Sequence, residues 1–289
     1  MTQDNKKLRK NLEIETYNNR DNAFPGKSKQ KERDRGSVNT RKTRNDILIS
    51  IIVPVYQEEF ILDKVLKVYN EMLKNKYSME LIVSDGGSTD NTLNIAEEYA
   101  DKIALHKRDD RQSIAEGRNN GAELAAGQVL VFINGDTIPA NPEEFFDYIY
   151  KWANMNDSET DAYACPVNVF PEEELTKDKI FYRLHNSYVR FLNFIGLGMG
   201  RGECQIIKKD IFEQAGRYNN EIIAGEDFDL YRRISSIGKI KYEKKLMVYE
   251  SPRRFRKCGY IKTIFNWLVN AVSVMFYGRS ISRDWEAIR

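Results

Sequence analysis

Three apolar runs, each ending in a polar turn, constrain the fold of this chain more than any other feature. The first run (ILISIIVPV) is almost continuous in β-branched residues, as expected of a parallel strand buried on both faces. The runs and their turns are residues 47–55, residues 79–84 before Asp85, and residues 129–133 before Asn134-Gly135-Asp136. Helical patterns separate the runs, so the sequence predicts an α/β fold with a mostly parallel sheet.

The segments between the runs carry helical signals. Apolar residues recur at three- and four-residue spacing across residues 60–73, and residues 92–100 predict a second helix. Ser113 with Glu116 forms a capping-box pattern that opens a third helix, and residues 102–106 predict a short strand. Because ligands of such sheets bind beyond the carboxyl ends of the strands, the polar turns there mark the predicted site.

The second half of the chain is less regular. We expect strands at residues 161–170 and 203–208, one or two strands at residues 239–249, helices at residues 177–194 and 226–237, and a flexible glycine-rich loop at residues 196–202.

The first 45 residues differ from the rest in charge. They hold 13 Lys and Arg against 6 Asp and Glu, whereas the remainder holds 32 basic and 37 acidic residues. This segment has no apolar periodicity and no apolar core of a signal peptide, which favours a solvated, disordered basic tail. An electrostatic tether to anionic lipid is the alternative, and nucleic-acid binding is not expected.

Cysteine and histidine usage argues against two kinds of site. Cys165, Cys204 and Cys258 lie far apart, and the chain has only two histidines. This excludes a CxxC-type zinc site and a disulfide scaffold, and it favours a reducing, cytoplasmic compartment. We expect each cysteine to be a small buried or half-buried apolar residue.

Six motifs in order carry a resemblance to a known family. IIVPVYQEE, ELIVSDGGSTDNT, SIAEGRNNGAELAAG and VLVFINGDT are followed by GRGECQIIKK and AGEDFDLYRRI. Together they resemble the family-2 glycosyltransferases, which have the nucleotide-binding fold called GT-A. The resemblance covers roughly residues 47–254 and implies a transferase that uses a UDP-, GDP- or dTDP-sugar.

The resemblance also implies a nucleotide pocket. Its residues would be Pro54, Val55, Tyr56, Glu58, Asp85, Arg118, Asn119, Asn134, Gly135 and Asp136. Among them, Asp85 would accept a hydrogen bond from the base, and Arg118-Asn119 matches the family's Arg-Asn pair that lines this pocket.

Asp136 matches the last aspartate of the family's DxD motif, which implies Mg²⁺ or Mn²⁺ as the cofactor. A divalent cation would neutralise the charge that develops on the departing diphosphate. The first aspartate of the motif is Asn134 here, which leaves the strength of metal dependence open. From the residues alone, Asn134-Gly135 is equally well explained as a tight turn.

Asp227, preceded by Glu226, matches the catalytic base of inverting members of the family. A positioned carboxylate is needed because a hydroxyl is a poor nucleophile until its proton is taken. Repulsion between adjacent carboxylates could raise one pKa. The simpler explanation, acidic side chains that favour a helix N-terminus, suffices for Asp229.

Two C-terminal segments leave alternatives open. Arg253 and Arg254 either clamp the diphosphate, as a similar segment in a subset of the family implies, or belong to a basic loop. Residues 261–277 predict a buried packing helix, with an interfacial helix as the second interpretation. An interfacial helix would suit peripheral contact, through residues 259–279, with the cytoplasmic membrane face and a lipid-linked rather than a free glycan acceptor.

The predicted organisation has three parts. A disordered tail (1–45) precedes a GT-A domain (46–258), whose nucleotide-binding half (46–137) is followed by an acceptor half (138–258), and an apolar helical segment (259–289) ends the chain. Two other functions remain open, a catalytically weak nucleotide-sugar-binding protein and a sugar nucleotidyltransferase. A dehydrogenase is disfavoured because no GxGxxG follows the first strand.

Overall fold

The structure, a computed structural model, describes residues 16–17, 47–108, 111–155 and 159–282. Within them the strands are β1 (Thr16–Tyr17), β2 (Ile49–Val55), β3 (Met79–Asp85), β4 (Lys102–Leu105), β5 (Val129–Ile133), β6 (Thr137–Pro139), β7 (Ala162–Ala164), β8 (Val167–Val169), β9 (Cys204–Lys208), β10 (Ile240–Tyr242) and β11 (Val248–Glu250). Eight of them form one sheet in the order β1-β4-β3-β2-β5-β9-β7-β10, and β6-β11-β8 form a second sheet.

The donor half of the large sheet is parallel, as predicted. β2 pairs in parallel with β3, Val55 opposite Asp85, and with β5, Ile52 opposite Phe132. β9 runs antiparallel to both β5 and β7. Because β2, β3 and β5 share one direction, their polar carboxyl ends lie at the same edge of the sheet.

Helices cover both faces of the sheet. They are α1 (Leu62–Leu66), α2 (Glu71–Lys76), α3 (Thr92–Tyr99), α4 (Ile114–Leu124), α5 (Pro142–Asn154), α6 (Thr176–Phe194), α7 (Lys209–Gln214), α8 (Glu226–Ser235), α9 (Arg253–Cys258) and α10 (Tyr260–Tyr277). The predicted capping box of α4 is confirmed, since Glu116 N donates to Ser113 Oγ and Ser113 N donates to Glu116 Oε2, both at 3.1 Å.

Two apolar clusters explain why the first strand is apolar throughout. On one face of the sheet, Ile51 belongs to a cluster with Phe145 of α5. On the other face, Ile52 belongs to a cluster with Phe132 and Phe212 of α7. Each fully buried side chain of this size contributes about 1.5–3 kcal/mol relative to an exposed one. A strand covered on both faces therefore has no polar alternation.

The prediction of one continuous helix at residues 60–73 is wrong. The structure has the short helices α1 and α2 instead, and Phe60 and Met72 are exposed. Asn70 causes the break, because its extended backbone cannot continue a helix and its Oδ1 accepts a hydrogen bond from Leu73 N at 3.0 Å. Asn70 therefore begins α2 as its N-cap.

Residues 161–170 form two strands rather than one. β7 lies in the large sheet, and β8 lies in the small one. Pro166 separates them, and it has no N–H to donate to a ladder. Residues 239–249 divide in the same way, since β10 pairs with β7 and β11 pairs with β8.

The predicted terminal segments are described only in part. Thr16–Tyr17 forms β1, which pairs antiparallel with β4, so these two residues differ from the predicted disorder. The rest of the predicted tail and residues 283–289 lie outside the described residues. In the part of the chain that the structure describes, no helix combines the length and apolarity that crossing a bilayer requires.

Candidate active site

A cleft of about 410 Å³ opens where the carboxyl ends of β2 and β5 face the start of α8. Most of the predicted site residues line it. From the donor half these are Pro54, Val55, Tyr56, Glu58, Arg118, Asn134, Gly135 and Asp136, and from the acceptor half Glu226, Asp227, Arg253 and Arg254. The cleft therefore collects side chains from both halves of the chain.

Asp85 lies at the end of β3, directly before Gly86 in the wall of the cleft. Its Oδ2 accepts hydrogen bonds from the N–H groups of Gly87 and Ser88, both at 3.0 Å. Its Oδ1 is buried and has no hydrogen-bond partner within the described residues. A buried acceptor without a partner is costly, but Asp85 itself is not among the residues that line the cleft.

The turn after β5 is both a tight turn and a site element. Thr137 N donates to Asn134 O at 3.1 Å, which closes the turn. Gly135 is needed there because an added Cβ would lie 3.1 Å from Val55 Cγ1 on β2. The close approach of the two strands places the side chain of Asp136 in the cleft.

Arg253 contacts the two carboxylates nearest this turn. Its Nη2 donates to both carboxylate oxygens of Glu58, at 2.9 and 2.8 Å, and to Oδ2 of Asp136, at 3.0 Å. Arg253 begins α9, so the segment predicted as either a loop or a clamp is a short helix that points a guanidinium at the Asp136 turn.

The oxygen donors near Asp136 fit a divalent cation that arrives with its ligand. Among the described residues, no three His, Cys, Asp or Glu side chains cluster so that they could hold a metal by themselves. Mg²⁺ and Mn²⁺ need only one or two protein carboxylates when phosphates and waters complete the octahedron. Asp136, with Glu58 beside it, meets that requirement.

Arg118 is a buried link between three parts of the site. It is fully buried, and its Nη1 donates to Glu226 Oε1 at 2.7 Å. Its Nη2 donates to Asn134 Oδ1 at 3.2 Å and to Gly202 O at 2.6 Å. The guanidinium therefore fixes the turn after β5 relative to the start of α8, and its hydrogen bonds are made within the protein.

Asn119 does not line the cleft, contrary to its predicted place in the nucleotide pocket. Its Nδ2 donates to Tyr218 O at 2.9 Å and to Asn220 Oδ1 at 2.8 Å, and its Oδ1 accepts from Tyr218 N. Consecutive side chains on a helix point in directions about 100° apart. Asn119 therefore points away from Arg118 and fixes the 218–220 segment to α4.

Asp227 lies in the first turn of α8, which begins after Gly225 at φ +91°. Its Oδ1 accepts a hydrogen bond from Phe228 N at 2.8 Å. Burial, with a further contribution from the negative charge of Glu226, raises the pKa of Asp227 to about 7, although Arg118 opposes the change. A carboxylate with a pKa near the operating pH is well suited to accept a proton.

A buried charge network on the acceptor side of the cleft was not predicted from the sequence. Arg201 donates to Glu203 at 3.0 Å and to Glu250 at 3.1 Å, and Tyr182 donates to Glu250 at 2.8 Å. Burial and the charge of Glu203 raise the pKa of Glu250 well above its usual range. Two charged residues, Arg201 and Glu203, lie at the end of the glycine-rich stretch and are the signal that could have indicated this network. Their pairing was not predictable, because Glu250 on β11, which Arg201 contacts, is 49 residues away.

The arrangement of the sheet and its cleft is that of a GT-A glycosyltransferase, and solved structures show the same fold. A mannosyltransferase of Pyrobaculum calidifontis, solved with GDP-Man and Mn²⁺, superposes with a TM-score of 0.60 at 18% identity, covering 83% of this chain and 65% of that one. S. aureus TarS (residues 1–349), solved with UDP-GlcNAc, gives 0.52 at 17% identity, covering 71% and 58%.

Sequence comparison names the family. The model of glycosyl transferase family 2 matches residues 50–216, more than half of the chain, and the chain belongs to that family. Glycosyltransferase AglE of Haloferax volcanii is 33% identical over 94 residues, which are 32% of this chain and 31% of the relative. A Haemophilus influenzae glycosyltransferase is 38% identical over 98 residues, 32% and 38% of the two chains. The match thus spans only about a third of each relative.

Proposed function

We propose that this protein transfers a sugar from a nucleoside-diphosphate sugar to an acceptor hydroxyl, with Asp227 as the general base. The observation that carries the proposal is that one cleft holds Asp136 at the end of β5 and, opposite it, a carboxylate whose pKa is raised to about 7. The solved structures with GDP-Man and UDP-GlcNAc support a nucleotide-sugar donor.

The donor half of the cleft would bind the nucleotide. Asp85 Oδ1 has no hydrogen-bond partner among the residues that the structure describes, and it would accept a hydrogen bond from the base. Asp136, with Glu58, would hold Mg²⁺ or Mn²⁺, and that cation would supply charge neutralisation for the leaving diphosphate. Asn134 would contribute less to metal binding than an aspartate, because its side chain is neutral and its oxygen accepts a hydrogen bond from Arg118.

Arg253 and Arg254 would provide the positive charge that holds the diphosphate. Arg253 forms salt bridges with Glu58 and Asp136, and the phosphates of a metal-bound donor would bind at the same place. Phosphate oxygens accept parallel hydrogen bonds from a guanidinium, so these contacts can be exchanged for contacts to the diphosphate.

The chemical step would be a single displacement. The acceptor oxygen attacks the anomeric carbon while its proton passes to Asp227, and the bond to the diphosphate breaks with its electron pair leaving on the phosphate oxygen. Attack opposite the leaving group inverts the anomeric configuration. The acceptor, a glycan or a lipid-linked hydroxyl, would enter from the side of α6 and α10, in the reducing cytoplasmic setting that three free thiols favour.

The alternative is donor binding without turnover, because the first aspartate of the DxD motif is Asn134 here. A nucleotidyltransferase is disfavoured, since Glu58 is acidic at the position where a triphosphate needs positive charge.

A donor screen by thermal shift tests the proposal. Wild-type protein is heated with UDP-, GDP- and dTDP-sugars, with and without Mn²⁺. A ligand at about 100 times its dissociation constant adds about 2.7 kcal/mol to the free energy of unfolding. We expect a metal-dependent rise with one donor, lost in Asp136→Ala and kept in Glu98→Ala, an exposed acidic residue on α3. No rise with any donor would overturn the proposed donor site.

A further inference from the structure

Helix α6, with the residue that follows it, carries an apolar stripe that is largely exposed to solvent. Ile180, Leu184, Tyr188, Phe191 and Ile195 recur at four-, four-, three- and four-residue spacing and are 47–67% exposed. The opposite side of the helix is buried, so α6 has one apolar face for the core and a second one for solvent. A core-packing helix needs only the first face.

Helix α10 carries a second exposed stripe. Its residues are Ile261, Ile264, Phe265, Leu268, Val272 and Met275, which are 42–85% exposed. Its other side packs on the protein, where Val274 joins Phe228 of α8 in a small buried cluster. One face of α10 thus packs on the protein, as expected of a packing helix, and the other face is apolar and exposed, as expected of an interfacial helix.

The two stripes lie next to each other. The rings of Phe181 and Tyr260 are 5.0 Å apart, and those of His185 and Trp267 are 5.4 Å apart. We call the surface formed by the exposed residues of α6 and α10 the α6–α10 face. Monomeric soluble proteins rarely expose an apolar patch of this extent unless it binds something.

The exposed charged residues on the two helices of the α6–α10 face are all basic, and one of them, Lys179, pairs at 3.3 Å with Glu174, which precedes α6. The exposed charged residues on the two helices are Lys177, Lys179, Arg183, Arg190 and Lys262. The acidic residue of α6, Asp178, is fully buried and accepts hydrogen bonds from Tyr260 and Arg256. Residues 251–282 contain no Asp or Glu at all. The face is therefore apolar with a basic border, in a chain that is otherwise mildly acidic beyond its tail.

We propose that the α6–α10 face docks on the surface of an anionic lipid bilayer. Helices with an apolar face and basic flanks lie in the headgroup region, where the apolar side chains leave water and the basic ones meet anionic lipid. A second copy of this chain is a poorer occupant. A two-fold interface would bring the face against itself, and its Lys and Arg against Lys and Arg.

The α6–α10 face lies beside the cleft, so docking would bring the cleft close to the bilayer. This part of the argument rests on the proposed transferase function. His185 of α6 and Trp267 of α10 line the cleft as well as bordering the face. α10 also packs on α8, which carries Asp227. A lipid-linked acceptor could thus present its hydroxyl to Asp227 while its chain stays in the bilayer.

Vesicle flotation tests the docking with the full chain. We expect binding to phosphatidylcholine vesicles that contain phosphatidylglycerol, weakened by salt, and little binding to phosphatidylcholine alone. The double variant Leu184→Ser/Phe265→Ser should reduce the partition coefficient about tenfold or more, because two large apolar side chains that leave water on docking are replaced by polar ones. The matched control is Met72→Ser, a 72% exposed residue on α2, which should bind as the wild type does.

Two outcomes would overturn the docking proposal. One is no binding to anionic vesicles by folded wild-type protein. The other is a stable dimer in light scattering that Leu184→Ser/Phe265→Ser dissociates, while vesicle binding is unchanged. The thermal shift with the donor should be the same in this variant and the wild type. The two tests are therefore independent. A donor screen without a thermal shift would not affect the vesicle result, and a lack of vesicle binding would not affect the donor screen.

Discussion

At the scale of single residues, Asp227 and Glu226 are adjacent carboxylates with different surroundings. Glu226 is paired with the buried guanidinium of Arg118 at 2.7 Å, whereas Asp227 accepts a hydrogen bond from the N–H of Phe228 at 2.8 Å. The two carboxyls therefore have different surroundings, since Glu226 is held by the guanidinium of Arg118 and the pKa of the neighbouring Asp227 is raised by burial and by the charge of Glu226. Two carboxylates held in different environments can serve structure and proton transfer separately.

The raised pKa of Asp227 predicts the pH dependence of turnover. The base acts only when deprotonated, so kcat/KM should be low at pH 5.5, rise through about 7 and reach a plateau above it. Glu226→Gln removes a neighbouring negative charge, which lowers the pKa of Asp227 and moves the rise to lower pH. The pH profiles of kcat/KM for the two proteins check this, and an unmoved profile would contradict the coupling.

Arg118 should matter for stability more than any exposed arginine. Arg118→Met leaves Glu226 buried without its partner, a loss that typically costs about 3–5 kcal/mol. The matched control is Arg217→Met, which breaks half-exposed pairs with Glu123 and Glu213 and should cost about 1 kcal/mol or less. Urea unfolding of both variants measures the difference, and equal midpoints would show that the buried pair is not structural.

At the scale of elements, α4 is positioned by a glycine that faces β2. An added Cβ at Gly121 would lie 2.4 Å from Ile52 Cγ2 and 3.7 Å from Ser84 Cβ. The helix therefore approaches the sheet more closely than any other residue would allow. Arg118, one turn earlier on the same helix, depends on that approach to reach Asn134 and Glu226.

Gly121→Ala should destabilise the fold although alanine is the better helix former. In an open helical position the change would stabilise by about 0.5–1 kcal/mol. Here overpacking against Ile52 should instead cost about 1–3 kcal/mol. The sign of the change in the free energy of unfolding, measured in urea, decides between the two. A stabilised variant would mean that α4 can move away from β2 without loss.

The two halves of the molecule were not equally predictable at this scale. The strands of the donor half follow from local patterns, because a strand buried on both faces is apolar throughout. The pairing of β8 with β11 joins segments 81 residues apart (Val167 opposite Val248), and nothing in either short segment specifies its partner. Likewise, the spacing of the apolar residues in α6 does not show which of them are exposed and which are buried.

At the scale of the whole molecule, the cleft joins side chains that are far apart in the chain. Glu58, Asp136 and Arg253 meet at one point, so the C-terminal segment completes a site that begins in the first strand turn. The family resemblance predicted which residues belong to this region. It could not predict that Asn119 turns away or that Glu250 joins Arg201, because both depend on contacts with distant segments.

The most direct test of the central claim is the release of nucleoside diphosphate from the donor found by thermal shift. Wild-type protein and Asp227→Asn are compared at pH 8, with donor binding measured in the same samples. Loss of a general base typically slows proton transfer about 10²–10⁴-fold, so we predict that release falls by about that factor while donor binding is unchanged. Equal release by the two proteins would contradict the assignment of Asp227 as the base.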